Sequence, residues 1–387
     1  MSAIAHSHAV ARDFSRSPMN IYWEMTQACA LACRHCRAEA ISMAHPSELN
    51  HQQSLDFLRQ IPGFGQPYPQ LILTGGDPLA RTDLYDLIDE ARSLGIGTSI
   101  TPAATPALTR EVLVRLKEHG VEGLGLSLDG STAEHHDSIR GVPGTFDRTM
   151  QALKGAQELE IPVQVNTLAS AETAADMPGI YEVLKPFHIA RWSLFFLIAV
   201  GRGKVLQPLT PEEGETLMKW IDATGRQADF IIATTEAPSF RRVVLERMRS
   251  EGMTGEQIRQ SGTTRSYGIR DGHGIMFISN TGDICPAGFL PLPVGSVLTD
   301  NIVDIYRDAP LFRQLHDPTH FEDRCGVCDY RTLCGGSRAR AFAATGNPLA
   351  SDPFCQYEPK IPAIIRESRP YGDTSPTPSQ RSAVSGN

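Results

Sequence analysis

Hydrophobic positions between residue 20 and about residue 200 alternate between a strand-like and a helix-like period. Short apolar runs rich in β-branched and aromatic residues predict strands at 21–24, 70–74, 97–101, 123–128, 163–168 and 192–198. The amphipathic stretches between them predict helices at 52–60, 83–94, 109–119, 146–159 and 175–185. Because helical crossovers join parallel strands, the pattern predicts an α/β fold, a partial (βα)6 barrel of the TIM type. Chemistry in such barrels takes place at the carboxyl ends of the strands.

The rest of the chain divides into a bridging region and a cysteine-rich module. Residues 201–270 are predicted to be mostly helical, and 274–285 to form a hairpin that turns at Asn280-Thr-Gly-Asp283. A tail rich in Ser, Pro and Thr is predicted to be disordered. The expected division is an N-terminal extension at 1–19, a core at 20–200, a helical bridging region at 201–270, a cysteine-rich module at 271–360 and the tail at 371–387.

Composition narrows the class of protein. The chain has 387 residues and a net charge of −8, which argues against nucleic acid as the main partner. No run approaches the ~18 apolar residues of a membrane span. The N-terminus lacks the basic and apolar regions of a secretory signal. We therefore expect a cytoplasmic protein without a membrane partner, whose eight cysteines bind metal or act in catalysis instead of forming disulfides.

Three cysteines in one short segment carry the strongest chemical signal. Cys29, Cys33 and Cys36 follow the first predicted strand with the spacing C-x3-C-x2-C. A 4Fe-4S cluster normally takes four cysteines, so three leave one iron free to bind another ligand. Structural zinc or plain buried thiols are the alternatives for three cysteines taken alone.

This spacing resembles that of the radical S-adenosylmethionine (radical SAM) enzymes. In that family the open iron chelates the amine and carboxylate of SAM. An electron from the cluster then cleaves SAM to methionine and a 5′-deoxyadenosyl radical, which abstracts a hydrogen atom from the substrate. The resemblance covers residues from about 20 to 360 and implies the partial (βα)6 barrel already predicted from the pattern.

The second predicted strand runs into Gly75-Gly76-Asp77-Pro78. Glycines let backbone carbonyls approach a ligand, and proline fixes the exit of the turn. The segment resembles the Gly-Gly-Glu-Pro motif of the family, whose backbone and carboxylate receive the SAM amino group. Asp77 is one methylene shorter than the usual glutamate.

Further cofactor contacts are expected at other strand ends. Ser127 ends the fourth strand and Arg140 follows it, and the resemblance implies that both hold SAM or order the loop. Asn166 in the fifth strand has the groups to bond a ribose hydroxyl or the methionine carboxylate, although a satisfied strand-end amide is the alternative. His35 stands where family members carry a ring packed near adenine.

A second cysteine group resembles the auxiliary-cluster part of the SPASM/Twitch extensions found in this superfamily. Cys325, Cys328, Cys334 and Cys355 supply the four thiolates of one auxiliary 4Fe-4S cluster, with a zinc ribbon as the alternative. The full pattern has seven cysteines, and Arg338 stands in the place of one of them. Cys285 is left over as a candidate catalytic residue, either a thiol near the substrate, a hydrogen-atom donor or an alternative ligand. The alternative for Cys285 is a buried thiol without a role in catalysis.

The substrate is the least determined feature. The chain resembles the branch that includes haem and haem d1 biosynthesis proteins, which implies a small-molecule or tetrapyrrole substrate modified at its propionates. Arginine suits carboxylate recognition, and the candidate propionate contacts are Arg202, Lys204, Arg338 and Arg340, with solvated surface side chains as the alternative expected for at least two of them. A peptide-modifying maturase and a non-catalytic electron-transfer protein are the alternatives. The electron donor expected for such an enzyme is a flavodoxin or ferredoxin.

Overall fold

A largely parallel sheet dominates the structure, a computed structural model that describes residues 12–261 and 268–359. Within those ranges nine strands form one sheet in the order β7-β6-β5-β4-β3-β2-β1-β8-β9, and every neighbouring pair except β8 and β9 is parallel. The strands are β1 (Asn20–Glu24), β2 (Gln70–Thr74), β3 (Thr98–Ile100), β4 (Gly123–Ser127), β5 (Val163–Ala169), β6 (Arg191–Phe196), β7 (Ile231–Thr235), β8 (Ile275–Ile278) and β9 (Ile284–Cys285). The six predicted strands are confirmed as β1 to β6.

Helices connect the strands as parallel pairing requires. In the described residues they are α1 (His51–Leu58), α2 (Leu84–Ser93), α3 (Arg110–Glu118), α4 (Ala133–Arg140), α5 (Thr145–Glu158), α6 (Met177–Leu184), α7 (Pro211–Gly225), α8 (Phe240–Ser250), α9 (Gly255–Gln260), α10 (Ile302–Asp308), α11 (Pro310–His316), α12 (Asp323–Gly326) and α13 (Arg338–Thr345). The five predicted helices of the core are confirmed as α1, α2, α3, α5 and α6.

Helix α4 was missed because its sequence lacks an apolar stripe. Among its residues only His136 and Ile139 are buried, and the signals for the helix lie at its ends. The Thr132 side chain accepts the backbone N–H of His135, and Gly141 ends the helix with φ 71°.

The prediction of a helical bridging region at 201–270 was incomplete. Strand β7 lies inside it and pairs along its length with β6. Its sequence, Ile-Ile-Ala-Thr-Thr, is only partly buried and carries no alternation, so local pattern gave no signal. The predicted hairpin is present as β8 and β9, but β8 also pairs with β1, which the sequence did not indicate. The predicted tail at 371–387 lies outside the described residues.

The cysteine-rich module and the barrel share one hydrophobic core. Trp23 and Trp192 are fully buried in the barrel, and Tyr306 and Phe312 of the module belong to the same cluster of buried side chains. The Tyr306 hydroxyl accepts the backbone N–H of Gly274 at 2.9 Å and donates to the carbonyl of Phe14 at 2.5 Å. No helix in the described ranges has both the length and the apolar character to span a bilayer.

Candidate active site

A cavity of about 230 Å³ lies where the carboxyl ends of the strands meet the cysteine loop. Gly75 follows β2, Thr101 follows β3, Ser127 ends β4 and Asn166 lies in β5, and all four line this cavity. Cys29, Cys33 and Cys36 line it from the loop after β1. The cavity therefore lies at the barrel end where the sequence predicted the chemistry.

Gly75 and Gly76 bring the turn after β2 against the backbone of the cysteine loop. The N–H of Gly76 donates to the carbonyl of Thr26 at 2.7 Å, and that of Asp77 donates to the carbonyl of Ala28 at 2.7 Å. A Cβ on Gly75 would lie 2.4 Å from the Thr26 oxygen, and one on Gly76 would lie 2.3 Å from the Ala28 oxygen. Both glycines thus allow close backbone packing that positions the cysteines. The sequence had instead predicted that they let the backbone approach a ligand.

Asp77 and Pro78 are not among the residues that line the cavity. The buried carboxylate of Asp77 accepts the Thr105 hydroxyl at 3.0 Å, the Leu79 N–H at 3.1 Å and the Ala103 N–H at 3.3 Å. The side chain therefore joins the turn after β2 to the loop after β3. In this position the carboxylate does not line the cavity, so the structure does not support the direct contact with SAM expected from the sequence.

Each cysteine of the N-terminal loop has a hydrogen-bond donor directed at its sulfur. The N–H of Leu31 lies 3.4 Å from the Sγ of Cys29, the N–H of Ala40 lies 3.4 Å from that of Cys36, and Arg140 Nη1 lies 3.7 Å from that of Cys33. Such donors favour the charged thiolate over the thiol, and the thiolate is the form that binds iron.

Cys29 also interacts electrostatically with both Cys33 and Cys36, which places the three sulfurs near one another. In the described ranges, no three His, Cys, Asp or Glu side chains converge as ligands of a single metal ion. A 4Fe-4S cluster binds its thiolates at separate irons of a cube, and three clustered cysteines with donated hydrogen bonds suit that arrangement.

Arg140 links the cysteine loop to the strands. Its Nη2 forms an ion pair of 2.6 Å with Asp129, and the exposed fractions of the two side chains are 12% and 1%. The other Asp129 oxygen accepts the N–H of Leu168 at 2.7 Å. Burial opposes ionisation of Asp129, but the charge of Arg140, together with smaller contributions from neighbouring groups and the Leu168 N–H, keeps the pKa of that carboxyl below its usual value.

Asp129 lies two residues after Ser127 and was not among the site residues predicted from the sequence. Its buried position and its pairing with Arg140 depend on helix α4, which the sequence pattern did not predict.

Three side chains of the cavity have buried nitrogens without hydrogen-bond partners in the part of the chain that the structure describes. They are His35, through Nδ1, Arg202, through Nε and Nη2, and Arg140, through Nε. The remaining Arg202 nitrogen donates to the carbonyl of Ala40 at 3.3 Å. Burial lowers the pKa of His35 to about 4, so the ring is neutral. Unpaired buried donors are costly and mark where a ligand would bind.

Ser127 and Asn166 occupy opposed positions on β4 and β5. Both line the cavity, and the Asn166 side-chain oxygen accepts the Gln164 amide at 2.8 Å. The structure thus brings together six of the predicted cofactor-binding residues, namely His35, Gly75, Gly76, Ser127, Arg140 and Asn166.

Comparison with known proteins identifies the family. The model of the radical SAM superfamily matches residues 23–184. A protein of Oleidesulfovibrio alaskensis named AdoMet-dependent heme synthase is 35% identical over 94% of this chain and 95% of its own length. The chain belongs to the radical SAM superfamily. A Methanosarcina barkeri protein of the same name is 31% identical over 89% of this radical SAM enzyme and 98% of its own length.

A solved structure also matches both regions of this radical SAM enzyme. The SuiB protein of Streptococcus suis is 19% identical and superimposes with a TM-score of 0.68 over 88% of this chain and 78% of its own. At this identity the likeness shows the fold alone. Membership of an enzyme superfamily sets aside the hypothesis of a pure electron-transfer protein.

The second cysteine group of this radical SAM enzyme lies away from the cavity. Electrostatic interactions connect Cys334 to Cys355 and Cys325, and Cys328 to Cys325, so the four thiols form one cluster of side chains. Backbone N–H groups lie 3.4 Å from the sulfurs of Cys328 and Cys334. None of the eight cysteines forms a disulfide.

Cys285 lies in the β8–β9 hairpin, where it is 3% exposed and opposes Phe277. Burial raises its pKa to about 12, which keeps the sulfur protonated. It is not among the residues that line the cavity, although Arg37, which interacts with it electrostatically, is. The catalytic role of Cys285 stays a prediction.

Three of the four arginines and lysines proposed to contact propionates lie elsewhere. Lys204 is exposed, Arg340 pairs with Asp352 at 3.4 Å, and Arg338 is fully buried beside Cys325. Arg202 lines the cavity. The prediction for Arg338 and Arg340 was wrong because sequence motifs do not show which way a side chain faces.

Proposed function

We propose that this radical SAM enzyme modifies the propionate side chains of a tetrapyrrole in the cytoplasm. The observation that carries the proposal is the guanidinium of Arg202 in the cavity, whose Nε and Nη2 have no hydrogen-bond partner among the described residues. A planar guanidinium binds a carboxylate through two parallel hydrogen bonds. The relatives named AdoMet-dependent heme synthase support a tetrapyrrole as the source of that carboxylate.

Cys29, Cys33 and Cys36 are the proposed ligands of the SAM-binding 4Fe-4S cluster. SAM would occupy the cavity between the cysteine loop and the strand ends. When bound, the cluster and SAM supply the deoxyadenosyl radical that abstracts a substrate hydrogen. The chain itself orients SAM through the backbone of Gly75 and Gly76 and the side chains of Ser127 and Asn166, which line the cavity.

The barrel also protects the reaction from competing hydrogen donors. Phe195, Leu197 and Phe289 contribute apolar surface to the same cavity as the cysteines. Apolar walls exclude water, so a carbon radical meets the substrate in preference to solvent. Phe289 follows the β8–β9 hairpin, which makes the cysteine-rich module part of the active-site wall.

Four cysteines of the module, Cys325, Cys328, Cys334 and Cys355, are the proposed ligands of one auxiliary 4Fe-4S cluster. Their clustering and the N–H groups directed at their sulfurs support this set. We retain the division into a core at 20–200 and a cluster module at 271–360, with a flavodoxin or ferredoxin as the proposed electron donor.

Anaerobic reconstitution followed by substrate assays tests the proposal. Iron-coproporphyrin should stimulate deoxyadenosine formation and lose carboxyl groups, which mass spectrometry detects. A sirohaem derivative and peptides encoded near the gene serve as the competing substrates. Deoxyadenosine formed only with a peptide would contradict the tetrapyrrole proposal and favour a maturase.

Substitution of Arg202 separates the two carboxylates that it could bind. If Arg202 holds a substrate propionate, Arg202→Met should raise the KM for the tetrapyrrole and leave that for SAM unchanged. A raised KM for SAM alone would assign Arg202 to the methionine carboxylate and remove it as support for the proposal. Lys204→Met, an exposed cation two residues away, is the matched control.

A further inference from the structure

Arg338 is a fully buried arginine that contacts a cysteine of the second group. It begins helix α13, its exposed fraction is 0%, and its Nη2 lies 3.6 Å from the Sγ of Cys325. A guanidinium is always charged in proteins, so its burial must be compensated by anions or hydrogen bonds.

The other contacts of Arg338 are neutral. Nη1 donates to the carbonyls of Pro348 at 3.1 Å and Ala350 at 2.7 Å, and Nε lies 3.4 Å from that of Gly336. The guanidinium carbon lies 4.5 Å from the ring centre of Phe321. Among the described residues, no Asp or Glu oxygen lies within ion-pair distance of Arg338, unlike Arg340, which pairs with Asp352.

A second arginine near the same cysteines shows the contrast. Arg242 interacts electrostatically with Cys355 and Cys328, but its guanidinium pairs with Glu215 and with Glu246. Asp271 also interacts electrostatically with Arg338, and burial raises the pKa of that carboxyl, which weakens it as a counter-charge. Among the described residues, the Cys325 sulfur is the group at hydrogen-bond distance from this guanidinium that can carry a negative charge.

The backbone leaves space for this contact. Gly336 has φ 68°, and a Cβ there would lie 2.6 Å from Arg338 Nη2 and 3.3 Å from Cys325 Sγ. The glycine conformation and the missing side chain together allow the guanidinium to reach the sulfur.

We propose that Arg338 raises the reduction potential of the auxiliary cluster by donating a charge-assisted hydrogen bond to the ligating sulfur of Cys325. Hydrogen bonds to cluster sulfurs and nearby positive charge stabilise the reduced, more negative cluster. The inference rests on the auxiliary cluster of the proposed function and assigns Arg338 a tuning role, without contact with the substrate.

Redox titration followed by electron paramagnetic resonance tests this role. The full-length Cys29→Ala/Cys33→Ala/Cys36→Ala protein holds only the auxiliary cluster, so its signal is measured alone. Arg338→Met in this parent should lower the midpoint potential, and Arg338→Lys should lower it less because the charge remains. Arg324→Met removes a partly exposed cation next to Cys325 that pairs with Glu358, and should shift the potential less than Arg338→Met. A shift in Arg338→Met no larger than that of Arg324→Met overturns the proposal.

A measurement on the unsubstituted side chain covers the case in which Arg338→Met does not fold. With arginine labelled by 15N, the reduced cluster of the parent should show hyperfine coupling to nitrogen, and the absence of any coupling overturns the proposal. The iron content of the parent shows whether the auxiliary cluster is present, independently of the role of Arg338. A parent without iron overturns both the auxiliary cluster and this role, whereas an intact cluster without coupling overturns the role of Arg338 alone.

Discussion

The two cysteine groups use the same contact in different surroundings. In each, an arginine is directed at one cysteine sulfur, Arg140 at Cys33 and Arg338 at Cys325. Arg140 is neutralised by Asp129 and lines the cavity, whereas Arg338 is fully buried and has no such carboxylate among the described residues. The first group therefore lies where a ligand can bind, whereas the second does not line that cavity.

The largest expected effect is the loss of SAM cleavage when the first group is broken. Cys33→Ala should reduce deoxyadenosine formation to background, because two cysteines do not retain the cluster in SAM-binding form. Anaerobic incubation with dithionite and chromatography of the products measure it. Cys285→Ala lies outside the cavity and should still form deoxyadenosine. Normal cleavage by Cys33→Ala would show that the site has been assigned to the wrong residues.

Breaking the second group should give a different phenotype. Cys328→Ala should continue to form deoxyadenosine but yield no modified substrate, because the sulfurs of the module do not line the cavity where SAM would bind. Product and deoxyadenosine are measured in the same sample. If the variant loses SAM cleavage to the same degree as Cys33→Ala, the two regions are not separable in function.

The ion pair of the first region should appear in the free energy of unfolding. Arg140→Met leaves Asp129 buried without its counter-charge, a change that costs about 3–5 kcal/mol. Asp129→Asn/Arg140→Met removes both charges and should recover part of this loss, as measured by urea unfolding under anaerobic conditions. Equal losses in the single and double variants would mean that the pair does not govern stability here.

The smallest effect concerns the contact between the end of β7 and the cysteine-rich module. Glu236 follows β7, its carboxyl accepts the hydroxyl of Ser337 at 2.5 Å, and it lies beside Asp271. Burial, reinforced by the charge of Asp271, raises the pKa of Glu236 well above its ordinary value, so the folded protein favours the neutral acid. The stability that this group contributes is complete below the unfolded pKa of about 4.3 and is lost as the pH rises toward the folded pKa.

Glu236→Gln keeps a neutral side chain at every pH. Above about pH 4.3 the variant should gain stability relative to the parent by up to about 1.4 kcal/mol per pH unit until the folded pKa is passed. Urea unfolding from pH 5 to 8 measures the difference, and Glu118→Gln at an exposed position is the control. A difference that does not change with pH would contradict the raised pKa.

The features that sequence predicted were those encoded locally. The pattern of hydrophobic positions predicted β1 to β6, and the cysteine spacing identified the loop after β1. Both signals lie within a few neighbouring residues. Contacts between distant segments gave no such signal. Asp77 binds Thr105 across 28 positions, and Gly76 packs against Ala28, so neither orientation follows from the motif itself.

The same limit applies to Asp129 and Arg202. Asp129 acquires its role only when α4 brings Arg140 to it, and Arg202 is directed into the cavity by backbone contact with the cysteine loop, through its N–H and the carbonyl of Cys36 at 3.1 Å. Sequence identified the residue types needed for the chemistry, and tertiary packing decided which of them reach the cavity.

The pairing of β8 with β1 has a consequence for biosynthesis. The ribosome makes the N-terminal cysteine loop early, yet the strand that carries it gains its second neighbour only when Ile275–Ile278 has been translated. Until then one edge of β1 is unpaired and the loop lacks the wall that Phe289 later supplies. A complete cavity wall around this loop therefore requires synthesis of the chain as far as Phe289, nearly three quarters of its length.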